Sequence, residues 1–177
     1  MRLLATLLAG ALVLAQPAAF AQVKSDWERE QEKRNWRDAE VLLPSYPRAG
    51  DLVEFAVSSA GAFRFFVDQA SLSVSPDGVI RFTLLARSPS GVDNVSYEGI
   101  RCATGEYRVY AIGHGDGSWS PRERPWQRIE PKRVKRWHHA LQREYFCPRE
   151  LPIVSAAEGV DALRRGRHPK AGNTALD

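Results

Sequence analysis

The chain is poor in the residues from which most active sites are built. Its 177 residues include four histidines, two cysteines and one methionine. Neither cysteine has a second cysteine or a histidine at the short, fixed offset of a zinc or redox site. No two histidines stand at i and i+4, and Gly-x-Ser-x-Gly is absent, which removes the commonest zinc-hydrolase helix and the usual nucleophile elbow. Gly113-His114-Gly115-Asp116-Gly117 resembles a phosphate cradle, but Ser118-Trp119-Ser120-Pro121 follows where a helix amino terminus is needed, so it reads as a strand-to-loop turn. No cofactor fingerprint is present, and no cofactor or metal is expected. Beyond the first fourteen residues there is no long apolar run, which excludes a polytopic membrane protein. There is no internal repeat, and a composition of 44% hydrophobic and 26% charged residues excludes wholesale disorder. What remains is one small domain with enough chain to bury a core.

The amino terminus has the order of a secretory signal. Arg2 supplies the positive start, Leu3 to Leu14 the apolar stretch, and Ala19-Phe20-Ala21 a small-x-small cleavage site. Gln16 and Pro17 end the apolar run at about a dozen residues, well short of the roughly 20 that span a bilayer. The expected organisation is a signal peptide over 1–21, a single domain over 22–165 and a loose, disordered tail over 166–177, the product being periplasmic with no transmembrane segment after cleavage. No cysteine follows the cleavage site, so a lipid anchor there has no attachment point. In an oxidising compartment Cys102 and Cys147 read most simply as a disulfide, the alternative being two buried thiols. Such a bridge closes a long loop and is worth about 4 kcal/mol in the chain-entropy picture.

Ser25 and Glu28 form a capping box for a short amino-terminal helix carrying Trp27 and Trp36. From residue 50 to 113 the apolar period is two: Leu52, Phe55 and Val57; Phe63, Phe65 and Val67; Leu72 and Val74. Asp77-Gly78 turns the chain into Val79–Arg87, Ser88-Pro89-Ser90-Gly91 into Val92–Cys102, and Thr104-Gly105 into the run of Tyr107, Val109 and Ala111. Six short strands joined by tight turns imply an antiparallel sheet, strongly curved or partly closed. Over 132–146 the period changes, with Val134, Trp137, Leu141 and Tyr145 on one stripe and Lys135, Arg136, His139 and Arg143 mostly opposite. Ser155 and Glu158 cap a second short helix. The expected fold is α+β: a curved antiparallel sheet of about six strands, a helical segment before it, and a disulfide-tethered basic helix packed on it.

The run Asn94-Val95-Ser96-Tyr97-Glu98-Gly99-Ile100-Arg101-Cys102, followed by Tyr110-Ala111, Asp116-Gly117 and Trp119, resembles the cryptic neisserial protein-one-like (CNP1-like) family. Trp27-Glu28, Asn35-Trp36 and Trp126 fit the same pattern, so the likeness covers most of the chain after the leader. It implies a small proteobacterial envelope protein and attaches no biochemical activity to it.

Charge is distributed unevenly. Residues 122–149 hold nine basic side chains (Arg122, Arg124, Arg128, Lys132, Arg133, Lys135, Arg136, Arg143, Arg149) against three acidic ones. Nucleic acid is the usual partner of such a block, but an exported protein rarely meets it; lipid headgroups, lipopolysaccharide phosphates or an acidic protein fit better. The competing reading is a solvated helix face. The expected function is non-enzymatic binding, with Lys132, Lys135, Arg136, His139 and Arg143 docking on an anionic envelope component or protein partner, and Trp119 and Trp126 beside them as an aromatic platform or as a cover over the sheet. The alternative from another class is a periplasmic hydrolase or metalloenzyme using His114, His138 and His139 with Glu98 or Asp116. His138 is expected at the edge of the apolar stripe. Glu98 and Arg101, three apart on a strand, point to opposite faces, and whichever is buried needs a partner.

Overall fold

Apolar side chains alternating with period two drive most of residues 52–113 into one antiparallel sheet. The computed structural model describes residues 25, 27, 28, 31, 35–57, 62–130 and 136–172. The leader, Lys132, Lys135, the side chain of Arg136 and residues 173–177 lie outside the described residues. The strands are β1 (Leu52–Phe55), β2 (Arg64–Val74), β3 (Val79–Arg87), β4 (Asp93–Arg101), β5 (Glu106–Gly113), β6 (Trp119–Pro121) and β7 (Gln127–Arg128). β1 to β6 lie side by side in chain order, and β7 returns to pair with β5, so β6 and β7 share one edge of that strand. After the sheet come α1 (Arg136–Ala140), which runs into a π-helical segment (Leu141–Phe146), and α2 (Ala156–Arg164).

The strand pattern differs from the expected one in two places. The runs around Phe65 and Leu72 belong to a single strand, β2, interrupted by a bulge. Asp68 pairs with Thr83 and Ser73 with Arg81, so five steps along β2 oppose two along β3. The excess is odd, which switches the alternation and lets Phe65, Val67 and Leu72 all enter one core although their numbers change parity. Ser71 holds the bulge: its Oγ donates to Asp68 O and accepts from Thr83 N–H. β6 and β7 are new relative to the sequence reading, because two or three residues are too few for a period to register.

The two faces of the sheet are covered differently. On one, Phe55, Phe65, Val67, Ile80, Phe82, Leu84 and Ile100 meet Ala140, Leu141, Tyr145, Phe146, Ala162 and Leu163 from the helical segments. The π-helical widening, with Cys147 N–H donating to Gln142 O, brings Phe146 into the core beside Leu141 and Tyr145, which a continuous α-helical stripe does not do. On the other face Phe66, Leu85 and Val95, then Tyr97, Tyr110 and Ala111, are covered by Val41, Tyr46, Trp119 and Trp126. Both capping boxes form. Ser155 Oγ accepts from Glu158 N–H while Glu158 accepts from Val154 N–H. At the amino terminus the pair is fully reciprocal, Glu28 N–H donating to Ser25 Oγ and Ser25 N–H to Glu28 Oε2, with Trp27, Glu28, Gln31 and Asn35 helical.

The start of the expected loose tail is tied to the fold at His168. His168 is buried, its N–H donating to Glu144 O and its Nε2 lying 3.0 Å from Glu158 Oε1. A single histidine among arginines and glycines carries no periodic signal, which is why the docking was invisible in sequence. The disulfide between Cys102 and Cys147 forms as expected, with Cα atoms 5.5 Å apart, and joins the end of β4 to the end of the π-helical segment. Replacing both cysteines by serine is expected to lower the unfolding free energy by about 2–5 kcal/mol in urea denaturation; an unchanged midpoint and slope would mean that the bridge is dispensable.

Candidate functional site

Polar chemistry is concentrated in two buried clusters, one on each face of the sheet, and in one exposed basic edge. The first cluster faces the helices. Ser96, Glu98 and Ile100 project from the same side of β4, and the Nε2 of His138 on α1 lies 2.6 Å from Glu98 Oε2. Glu98 is 3% exposed and His138 2%. Ser96 Oγ donates to Glu98 Oε1 over 2.6 Å, and the imidazole stacks on Tyr107 with centroids 3.7 Å apart. His138 is therefore an interior residue, not a residue at the edge of the stripe: its ring is small enough to lie flat on Tyr107, and Glu98 satisfies its polar edge. Its Nδ1 has no hydrogen-bond partner among the described residues. The order of groups matters chemically. The carboxylate stands between serine and histidine, so the hydroxyl is committed to the carboxylate and is not held against the imidazole, as nucleophile activation requires. The arrangement is a strut that fastens α1 to β4.

The second cluster lies on the opposite face and centres on Asp38. Arg81 Nη2 donates to Asp38 Oδ1 and to Asp77 Oδ2, each over 2.6 Å, while its Nη1 donates to Asp77 Oδ1. Arg108 Nη1 and the Tyr110 hydroxyl also donate to Asp38, and both guanidinium groups lie over the Tyr110 ring. Tyr110 is the extra residue of a bulge in β5, since Tyr97 pairs with Ala111 and Glu98 with Val109. Burial pushes its hydroxyl well above the usual phenol range, and the adjacent Asp38 carboxylate adds to the effect against the opposing pull of Arg81. Burial also works to raise the Asp77 carboxyl, but Arg81 and the N–H groups of Ala39 and Val79 outweigh it and hold the group below its ordinary value. This network pins the extended segment after Arg37 across the sheet.

The residues expected to bind are placed as follows. Trp119 is half-buried, donates from Nε1 to Pro44 O over 2.9 Å, and packs on Tyr46 and Tyr97. Trp126 stands edge-on to Tyr110. Both indoles thus cover the sheet. Arg136 opens α1, His139 is half-buried and Arg143 is exposed. The groups named for a hydrolase or metal centre are separated: Glu98 and His138 lie beneath the helices, whereas His114 and Asp116 occupy the β5–β6 turn, where His114 Nε2 is 2.7 Å from Ser120 Oγ. Among the described residues no group of three His, Cys, Asp or Glu side chains is placed to hold a metal ion.

The basic edge follows β6 and β7 along β5. Arg122 N–H donates to Tyr110 O, Arg128 pairs with Glu106, and Ile129 N–H donates to Gly105 O. Arg122, Arg124 and Arg128 are exposed, and their side chains make no ion pair among the described residues. Pro121 and Pro125 interrupt the same edge and oppose strand addition there. Sequence reasoning marked this basic block, but it missed Asp38 altogether, because nothing local distinguishes an aspartate that pairs across the sheet from a solvated one.

Two outcomes follow. Glu98→Ala, which leaves His138 in the core without its partner, should cost about 3–5 kcal/mol in urea denaturation, against much less for Glu98→Gln; a cost near zero would remove the strut. Because the folded-state value of Asp77 is depressed, its contribution to stability is present above the unfolded value and is lost as pH falls through the folded one. Thermal unfolding followed from about pH 5 to pH 2 should therefore fall less steeply in Asp77→Asn than in the parent protein, and parallel curves would contradict this.

No curated protein and no solved structure matches the chain. The profile of the CNP1-like family matches residues 31–164. The matched stretch holds Asp38 and its arginines, the Glu98–His138 strut and both bridged cysteines, and it ends on the last residue of α2. With most of its length and both buried clusters inside that match, the chain belongs to the CNP1-like family.

Proposed function

We propose that this protein is an exported, periplasmic binding module that acts without catalysis, docking a basic surface on an anionic envelope component or protein partner. Its leader over 1–21 directs export, and the two sheet bulges curve the strands around the helical layer so that the basic edge stands outside. One contrast carries the reading. Buried Arg81 and half-buried Arg108 are neutralised within the fold by Asp38 and Asp77, whereas Arg122, Arg124 and Arg128 stand exposed without an ion-pair partner among the described residues. Glu123 and Glu130 are exposed on the same stretch, so the edge is mixed with a positive surplus, and such a surplus concentrates anionic partners and speeds their encounter. The same binding role is proposed for Lys132, Lys135, Arg136, His139 and Arg143, the basic residues that follow this edge in the chain. Trp119 of β6 and Trp126, just before β7 in the chain, cover the sheet face opposite the helical segments. The hydrolase alternative keeps one supporting contact, His114 with Ser120, on an exposed turn.

Inorganic polyphosphate is a suitable soluble probe. Its affinity should fall about tenfold or more as sodium chloride rises from about 50 to 300 mM, through screening and counterion release. The triple variant Arg122→Glu, Arg124→Glu, Arg128→Glu should lose about tenfold or more at low salt. Salt-insensitive affinity, or an unaffected variant that retains the parent's thermal unfolding, would overturn the proposal.

A further inference from the structure

Between the disulfide and α2 the chain is held at both ends and thrust outward in the middle. Cys147 is buried and bonded to Cys102, and its N–H donates to Gln142 O. Ile153 is also buried, and its N–H donates to Phe146 O. Between these anchors Arg149 and Glu150 take φ values of 55° and 65°, a left-handed conformation that side chains other than glycine resist. Leu151, between the anchors, is 67% exposed, and Val154, one residue past Ile153, is 85% exposed. Hydrophobic burial would draw such side chains back onto the core if the loop were free to relax. Here the bridge and the strained pair hold Leu151 out, and Val154 is fixed at the start of α2 by its N–H bond to Glu158 Oε2.

The neighbours of the loop suggest what covers it. Cys102 follows β4 and opens the β4–β5 turn, the same end of the sheet at which Ile129 N–H donates to Gly105 O and Arg128 pairs with Glu106. The projecting apolar pair therefore lies at the end of the sheet that carries Arg128, with Arg149 exposed in the loop itself and Glu150 its single acidic side chain. Apolar tips beside guanidinium groups match an anionic lipid surface, with hydrocarbon entering the acyl boundary and arginine resting at the phosphate level.

We propose that Pro148–Val154 is a membrane-docking loop for an anionic bilayer, with Leu151 and Val154 inserting between headgroups and Arg149 meeting lipid phosphate. This rests on the anion-binding reading of the adjacent edge and names a lipid surface as its partner.

The test is flotation of the disulfide-bonded protein with unilamellar vesicles of phosphatidylcholine, with and without phosphatidylglycerol. The parent protein should float with the anionic vesicles alone. Leu151→Asp with Val154→Asp should weaken that association about tenfold or more, with thermal unfolding unchanged because both side chains are exposed. Val92→Asp, at an exposed apolar residue in the β3–β4 turn at the opposite end of the sheet, should leave association unaltered. Equal flotation of the double variant and the parent overturns the loop's role. So does a parent protein that binds polyphosphate but neither vesicle, and in that case the anion-binding edge survives while its lipid partner does not. Loss of polyphosphate binding in the triple arginine variant bears on the edge alone.

Discussion

Glu98, Ile100 and Cys102 stand on one face of β4, and through them that strand holds the helical layer in place. Glu98 takes His138 at the start of the layer, Ile100 joins the apolar core beneath it, and Cys102 is bonded to Cys147 at its end. The segment between these anchors is short and partly π-helical, a form with little stability of its own. Its geometry is supplied by the sheet. The stack of His138 on Tyr107 carries the same dependence over to β5.

The opposite face is organised by charge. An arginine buried at Arg81 is tolerable because two carboxylates and an aromatic ring surround it, and those carboxylates come from a turn and from an extended segment about forty residues earlier in the chain. The cluster therefore serves as a fastening for the chain before β1. It neutralises Arg81 and Arg108 within the fold, whereas Arg122, Arg124 and Arg128 of the β6–β7 edge and Arg149 of the loop after Cys147 are exposed. On the proposed binding reading, a sheet edge and a loop braced by a disulfide would present those arginines in a fixed arrangement, which limits the ordering cost of binding.

Local pattern determined much of this protein. Alternation over 52–113 specified the strands, Asp77-Gly78 and Ser88–Gly91 their turns, and Ser25 with Glu28 and Ser155 with Glu158 the two helix starts, because each of these signals acts between residues a few positions apart. The bridge between Cys102 and Cys147 was legible from their number and expected compartment, and the basic block from composition. Tertiary structure alone decided the rest. The bulge in β2 merges two apparent strands, since whether an odd insertion loops out or ends a strand depends on β3 opposite. Asp38, His138 and His168 acquire their roles from partners 43, 40 and 10 residues away, and the projection of Leu151 follows from anchors on either side. Pairing and burial of a lone polar or apolar side chain are set by what the fold brings against it, and no period in the sequence encodes that.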